Sequence, residues 1–192
     1  MKLKFLPLCL VGLLEACTSM GQLNESAKAP SQSESVFIIG VAPENYRISV
    51  FPGSVSNGIF WQSTIRSAAV YGAGKNGYVV GRASAGDVLA ITNVRVVKGE
   101  SSIWGADFAP CRERPTMVFK IPAGKVLYLG SVDYGFEGSM LHISYGNDLT
   151  AAQSYVQRTF PALTQPVESL AYELLPTSDG CSGTYIPIYT HR

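Results

Sequence analysis

Short apolar runs, separated by glycine, proline or Asn-Gly turns, recur along most of this chain. Residues 36–39 form a continuous apolar run typical of a buried strand, and residues 46–51 alternate as a half-buried strand does. Residues 88–97 change the parity of their apolar positions near Thr92 and Asn93, which predicts a β-bulge or a change of sheet. Many short strands at this spacing predict a mainly β, antiparallel β-sandwich-like domain.

Residues 122–124 form a Pro-Ala-Gly turn signal between two strand-like segments. Before the turn, residues 117–121 alternate between two faces, and after it residues 126–129 are apolar. Because a short turn between two such segments favours antiparallel pairing, we expect a β-hairpin here.

One helix interrupts the strand pattern near residues 150–160. Thr150 and Gln153 match a capping box, with Thr150 as the expected N-cap. Apolar residues follow at helical spacing, and Pro161 ends the helix near Phe160. We expect the apolar stripe of this helix to pack against a sheet.

The start of the chain has the organisation of an export signal. Two lysines precede an apolar run at residues 5–14, which has the length of a signal-peptide h-region, whereas a membrane-spanning helix needs about 20 apolar residues. The run leads into residues 14–17, Leu-Glu-Ala-Cys, which resemble the bacterial lipobox with Glu15 as a departure. The resemblance implies a lipoprotein signal peptide over residues 1–16 and lipid attachment to Cys17.

Two alternatives to lipid attachment remain open. An ordinary signal peptidase requires small residues at −3 and −1, so cleavage after Ala16 would place the large Leu14 at −3. Cleavage after Ala29 would place Ala27 at −3, but this site lies far from the apolar run. In the second alternative, Cys17 is an unmodified cysteine near an apolar N-terminus.

After Cys17 the composition becomes polar. Residues 18–35 are rich in Ser, Gln, Asn, Glu, Ala, Lys and Pro, which predicts a flexible tether over residues 17–35 and a single domain over residues 36–192. A coil of this length spans about 25 Å, so it would hold the domain near a membrane without fixing its orientation.

The four cysteines divide into two groups. Cys9 would leave with the signal peptide and Cys17 would carry lipid, so Cys111 and Cys181 remain as a pair. In an oxidising periplasm this pair predicts a structural disulfide, and two separate buried thiols are the alternative.

A candidate catalytic motif lies near the C-terminus. Gly180-Cys181-Ser182-Gly183 resembles the nucleophile turn of chymotrypsin-like proteases. His142 is the only upstream histidine, and its separation from Ser182 is too short for a two-barrel protease. We therefore expect a structural turn and no enzyme activity.

Composition gives little indication of other ligands. Charged residues make up 15% of the chain and the formal net charge is +1, so no nucleic-acid partner is expected. Two histidines and no Cys-x-x-Cys pair give no basis for a metal site, and no cofactor is predicted. Aromatic side chains either form core pairs or line a sugar or peptide groove, and six are candidates for such a groove: Trp61, Trp104, Tyr71, Tyr78, Tyr134 and Tyr145.

Residues 78–160 resemble uncharacterised β-rich lipoproteins of Gram-negative bacteria. The likeness is carried by the strand at residues 77–81, the strand entry at residues 86–89, the segment 121–130, and a helix ending at Phe160. It implies a β-rich fold and an envelope location, with no assigned activity.

The function expected from the sequence is that of a non-catalytic envelope lipoprotein. The membrane is its partner through Cys17, together with another envelope protein or a cell-wall component. Thr18 after the cysteine favours the inner leaflet of the outer membrane, facing the periplasm. A small-ligand or glycan-binding module and a hydrolase at residues 180–183 are the alternatives.

Overall fold

The computed structural model describes residues 19–97, 105–137 and 140–179. Strands and one helix follow in chain order: β1 (Glu34–Ala42), β2 (Arg47–Ser56), β3 (Ile59–Gln62), β4 (Val70–Ala73), β5 (Tyr78–Ser84), β6 (Val88–Val97), β7 (Gly105–Phe108), β8 (Thr116–Lys120), β9 (Val126–Glu137), β10 (Met140–Gly146), α1 (Leu149–Thr159), β11 (Val167–Ser169) and β12 (Glu173–Leu175). A mainly β, sandwich-like domain with one helix is therefore confirmed.

The strands form two sheets. In the first sheet the order is β10-β9-β1-β5, and β11 also pairs with β9. The second sheet has the order β12-β8-β6-β2-β3, with β7 beside β6 and β4 beside β2. Pairing is not antiparallel throughout, because β9 runs parallel to both β1 and β11.

Strand β1 is buried on both faces, which explains its continuous apolar run. One face, with Phe37 and Ile39, packs in the core between the sheets. The opposite face, with Val36 and Ile38, packs under α1. Helix α1 and its C-cap contribute a compact set of buried side chains to this second cluster: Ala152, Tyr155 and Val156 from the helix and Phe160 from the cap.

The hairpin expected around residues 122–124 does not form. Strand β8 pairs with β6 and β12 in the second sheet, whereas β9 belongs to the first, so the turn carries the chain between sheets. Backbone bonds fix this crossing: Ile121 N–H donates to Asp87 O at 2.8 Å and Gly124 N–H donates to Glu34 O at 3.0 Å. The residues of the turn do not indicate that β8 and β9 pair with other strands instead of with each other.

The parity change in β6 is a β-bulge, as predicted. Ser49 pairs with Asn93 and the next residue, Val50, pairs with Ile91, so Thr92 is the extra residue. The bulge allows β6 to keep apolar side chains in the core on both sides of the irregularity.

The second sheet curls until the segment after β12 reaches β3. Phe60 N–H donates to Pro176 O and Ser178 N–H donates to Phe60 O, each at 2.9 Å. Inside the curl lies a small separate core of Phe60, Ala90 and Val118.

Helix α1 begins two residues earlier than the capping-box match predicted. Asp148 is the N-cap, and its Oδ1 accepts a hydrogen bond from Ala151 N–H at 2.9 Å. The expected cap, Thr150, lies within the helix. Sequence alone does not separate two candidate caps two residues apart, because Asp and Thr both cap helices.

The segment expected to be a flexible tether lies on the body of the domain. Met20 and Tyr71 exchange two backbone hydrogen bonds, of 2.7 and 2.8 Å, and Leu23 N–H donates to Val80 O at 2.9 Å. Leu23 and Ala27 pack against the cluster under α1. We call residues 20–30 the strap. A mostly polar segment can lie on the domain in this way because its backbone pairs with otherwise open edges of β4 and β5.

Candidate functional site

A cleft opens where the two sheets separate, between β10 and the connection from β7 to β8. Its volume is about 40 Å³, room for roughly three water molecules. Apolar side chains from both sheets form most of its wall: Ile91, Val94, Phe108, Val132, Leu141 and Ile143.

The cleft exists because β9 and β10 extend beyond the end of β1. The last residue of β1, Ala42, pairs with Asp133, so Tyr134 and the residues after it have no β1 neighbour. Ile143 of β10 lies opposite Tyr134. A ring contact of 5.9 Å between Phe108 and Phe136 connects this projecting pair of strands to the second sheet.

Two tyrosines supply aromatic surface and hydroxyl groups to the cleft. Tyr134 packs against Tyr46 with ring centroids 6.4 Å apart, and Tyr145 packs against Tyr172 at 5.8 Å. Burial raises the pKa of Tyr145 to about 12 and raises the pKa of Tyr134 as well, so both phenols are neutral at physiological pH. Neutral phenols in an apolar wall can each donate a hydrogen bond to an uncharged ligand.

Polar residues lie around the rim. Thr116 Oγ1 donates to Ile91 O at 2.7 Å, which attaches β8 to β6 beside the cleft. Asn93 and Arg114 also line it. Arg114 is positioned by a tight turn in which its N–H donates to Cys111 O at 3.0 Å.

Of the six aromatic residues considered for a groove, Tyr134 and Tyr145 line this cleft. Trp61 lies elsewhere, on β3, with 49% of its surface exposed. Tyr78 forms a stacked pair with Tyr155, centroids 4.4 Å apart, and so belongs to the packing of α1. Trp104 lies outside the described residues.

No sequence pattern identifies Phe108, Asn93 or Arg114 as cleft residues. These residues line the cleft because segments far apart in the chain come together there. The sequence around each residue does not indicate such contacts. The bulge at Thr92 was the nearest available signal, because irregular strands often adjoin functional sites.

A second, more open groove with a volume of about 400 Å³ lies beside the β5–β6 turn. It is lined by Arg66, Arg82 and Asp87. Arg66 binds Asp87 through two hydrogen bonds of 2.8 and 2.7 Å, and this guanidinium lowers the pKa of the Asp87 carboxyl. Arg82 pairs with Glu34 and also donates to the strap at Lys28 O, at 2.6 Å. Both arginines thus have structural partners, which makes this groove the weaker candidate.

Several predicted site residues cannot be placed. Cys17, Cys181 and the Gly180–Gly183 motif lie outside the described residues, as does His191. His142 is exposed on β10. Because residues 180–183 lie outside the described part of the chain, the hydrolase alternative stays a prediction. Cys111 is buried, with 6% of its surface exposed.

Within the described part of the chain, no three His, Cys, Asp or Glu side chains are grouped so as to hold a metal ion. No helix in residues 19–97, 105–137 or 140–179 is long and apolar enough to cross a membrane.

Comparison with protein-family models, with curated proteins and with solved structures finds no match to this chain.

Proposed function

We propose that the protein is a lipid-anchored, non-catalytic envelope protein whose β-rich body binds or supports another envelope component. The observation that carries this proposal is the lipobox-like sequence at residues 14–17, which ends three residues before the strap begins at Met20. Cleavage before Cys17 would leave the anchor at the edge of the folded body. We place the protein at the inner leaflet of the outer membrane, facing the periplasm.

The anchor chemistry requires more than one acyl chain. Each buried methylene contributes about 0.8 kcal/mol, and one chain of ordinary length binds a membrane only reversibly. A diacylglycerol on the Cys17 sulfur, with an acylated amino group beside it, would give stable attachment.

A disulfide between Cys111 and Cys181 is the second part of the proposal. The segment leading to Cys181 passes close to Cys111, since Thr177 Oγ1 donates to Pro110 O at 2.8 Å. Four peptide steps separate Thr177 from Cys181, and four extended steps span about 13 Å. The bridge would fasten the segment that closes the second sheet around Phe60.

Metabolic labelling with a fatty-acid probe tests the anchor. We expect label on the wild-type protein and none on Cys17→Ala. Cys9→Ala is the matched control, because it removes a cysteine that leaves with the signal peptide and should keep full labelling. Equal labelling of the wild type and Cys17→Ala, or no labelling of either, would contradict the proposal.

The inter-sheet cleft favours a second candidate function, the binding of a small apolar or aromatic group. Tyr134 and Tyr145 supply neutral hydroxyls inside an otherwise apolar wall, which is the usual composition of a ligand site. Its volume suits a single side chain or ring substituent rather than a whole drug-sized molecule.

Native mass spectrometry of protein purified from its own cells tests this second candidate. A bound species should be present in the wild type and lost in Ile143→Arg. Val55→Arg is the control, because Val55 is exposed to a similar extent, 43% against 40%, but lies away from the cleft. A species retained by Ile143→Arg would exclude the cleft as its site.

A further inference from the structure

The strap leaves very little free chain between the lipidation site and the body. Only three peptide steps separate Cys17 from Met20, whose backbone is hydrogen-bonded to Tyr71 in both directions. Three extended steps span about 10 Å, whereas a free tether over residues 17–35 would span about 25 Å. The anchor therefore restricts how the body can be oriented.

The direction of the strap identifies which end of the sandwich is near the anchor. Met20 pairs antiparallel with Tyr71, and the Cβ of Ser19 lies beside Gly72. Traced towards Cys17, the strap therefore runs towards the β4–β5 turn that contains Lys75. This turn adjoins the end of β1, since Val41 N–H donates to Gly77 O at 2.8 Å.

We propose that this end of the sandwich, which we call the strap end, lies against the lipid surface. The inference rests on the proposed lipidation of Cys17 and adds an orientation to it. The opposite end carries the turn at residues 122–124 and lies about 26 Å away along β1.

Exposed side chains at the strap end suit a membrane interface. Met20 is 50% exposed, and Phe136 and Ile143, on the strands that extend past Ala42, are 41% and 40% exposed. Apolar and aromatic side chains gain free energy by leaving water for the interfacial region, and the exposed Lys75 can contact lipid phosphates.

Gly21 holds the strap close to the body. Its φ is +72°, and an added Cβ would clash with Ala69 O, which is backbone and cannot move away easily. Gly21→Ala should therefore release the strap. Gly58→Ala is a matched control, because Gly58 has the same φ but nothing within 4 Å of an added Cβ.

The test uses the full lipidated chain in vesicles of phosphatidylethanolamine and phosphatidylglycerol that contain a spin-labelled headgroup lipid. A fluorophore is attached at Lys75→Cys in one sample and at Ala123→Cys, in the opposite turn, in another. We expect loss of fluorescence at position 75 and none at position 123. Adding Gly21→Ala should abolish this difference, and adding Gly58→Ala should preserve it.

Equal quenching at the two positions in a protein that carries lipid would overturn the proposed orientation. Failure of the anchor itself is recognised separately, because the purified protein would then lack the acyl mass and would not bind the vesicles. That second result would overturn both the proposed function and the orientation built on it.

Discussion

The ring of Phe60 occupies the space that a side chain on Gly53 would need. A Cβ added to Gly53 would lie 2.5 Å from Phe60 Cζ and would also clash with Trp61 O. Because Phe60 is fully buried at the centre of the curled second sheet, the absence of a side chain at Gly53 allows the curl to close.

Gly53→Ala should destabilise the protein by about 1–3 kcal/mol, the usual cost of overpacking a filled core. The measurement is the free energy of unfolding from urea denaturation. Gly135→Ala is the control, because an added Cβ there meets nothing within 4 Å, and it should be neutral or slightly stabilising. Equal effects at the two positions would show that Phe60 can move aside.

Asp148→Ala should lower the free energy of unfolding by about 1 kcal/mol through loss of the N-cap. Thr150→Ala removes the cap that the capping box predicted and should have a smaller effect, because Ala151 N–H donates to Asp148. Urea denaturation of both variants decides between the two caps. A larger loss for Thr150→Ala would contradict the helix start described above.

Stability should fall in alkaline solution as the buried tyrosines ionise. The pKa of Tyr145 rises from 10.0 to about 12 on folding, so the folded state holds this proton more tightly than the unfolded state. The neutral Tyr145 phenol therefore makes its full contribution to the free energy of unfolding below pH 10, and this contribution is lost as the pH rises from 10 to about 12. The pKa of Tyr134 is raised for the same reason and adds to the loss.

Unfolding free energies measured at intervals between pH 9 and about pH 11 test this dependence. The variant Tyr145→Phe cannot ionise at this position, so it should lose less stability over the range than the wild type. A wild-type curve that is flat above pH 10, or one that the variant reproduces, would contradict the burial of this phenol.

The proposed disulfide should contribute up to about 4 kcal/mol, because it would close a loop of about 70 residues. A reductant should therefore lower the urea midpoint of the wild-type protein. In the double variant Cys111→Ala and Cys181→Ala the reductant should have no effect. Alkylation of Cys111 in the unfolded, unreduced protein would reveal a free thiol and remove the bridge.

Features that depend on local pattern were predictable from the sequence. The strands that contain residues 36–39, 46–51 and 88–97, the helix near residues 150–160 and the bulge at Thr92 all follow from side-chain periodicity within short segments. Periodicity works here because it reports which face of each element is buried.

Features that depend on the choice of partner were not predictable. The turn at residues 122–124 has hairpin chemistry, yet β8 and β9 lie in different sheets. The strap has a tether-like composition, yet Leu23 and Ala27 pack beneath α1. In both cases the deciding contacts join segments far apart in sequence, and composition contains no information about them.

The two tyrosines of the cleft illustrate the same division. Tyr134 and Tyr145 were recognisable as aromatic residues in strands, but their meeting with Phe108 depends on how far β9 extends past β1. Their role in the cleft therefore comes from strand lengths rather than from their own sequence neighbourhood.

Parallel pairing between β1 and β9 sets the order in which the chain can fold. Val36 pairs with Val126, which follows 90 residues later in the chain. Strand β1 therefore lacks one of its two neighbouring strands until β9 is available to pair with it. If the protein is exported N-terminus first, as the proposed lipoprotein signal requires, residues near the N-terminus reach the far side of the membrane before β9 does. An enzyme modifying Cys17 would then meet an unfolded substrate, and the sheet would assemble only after its attachment point was already fixed.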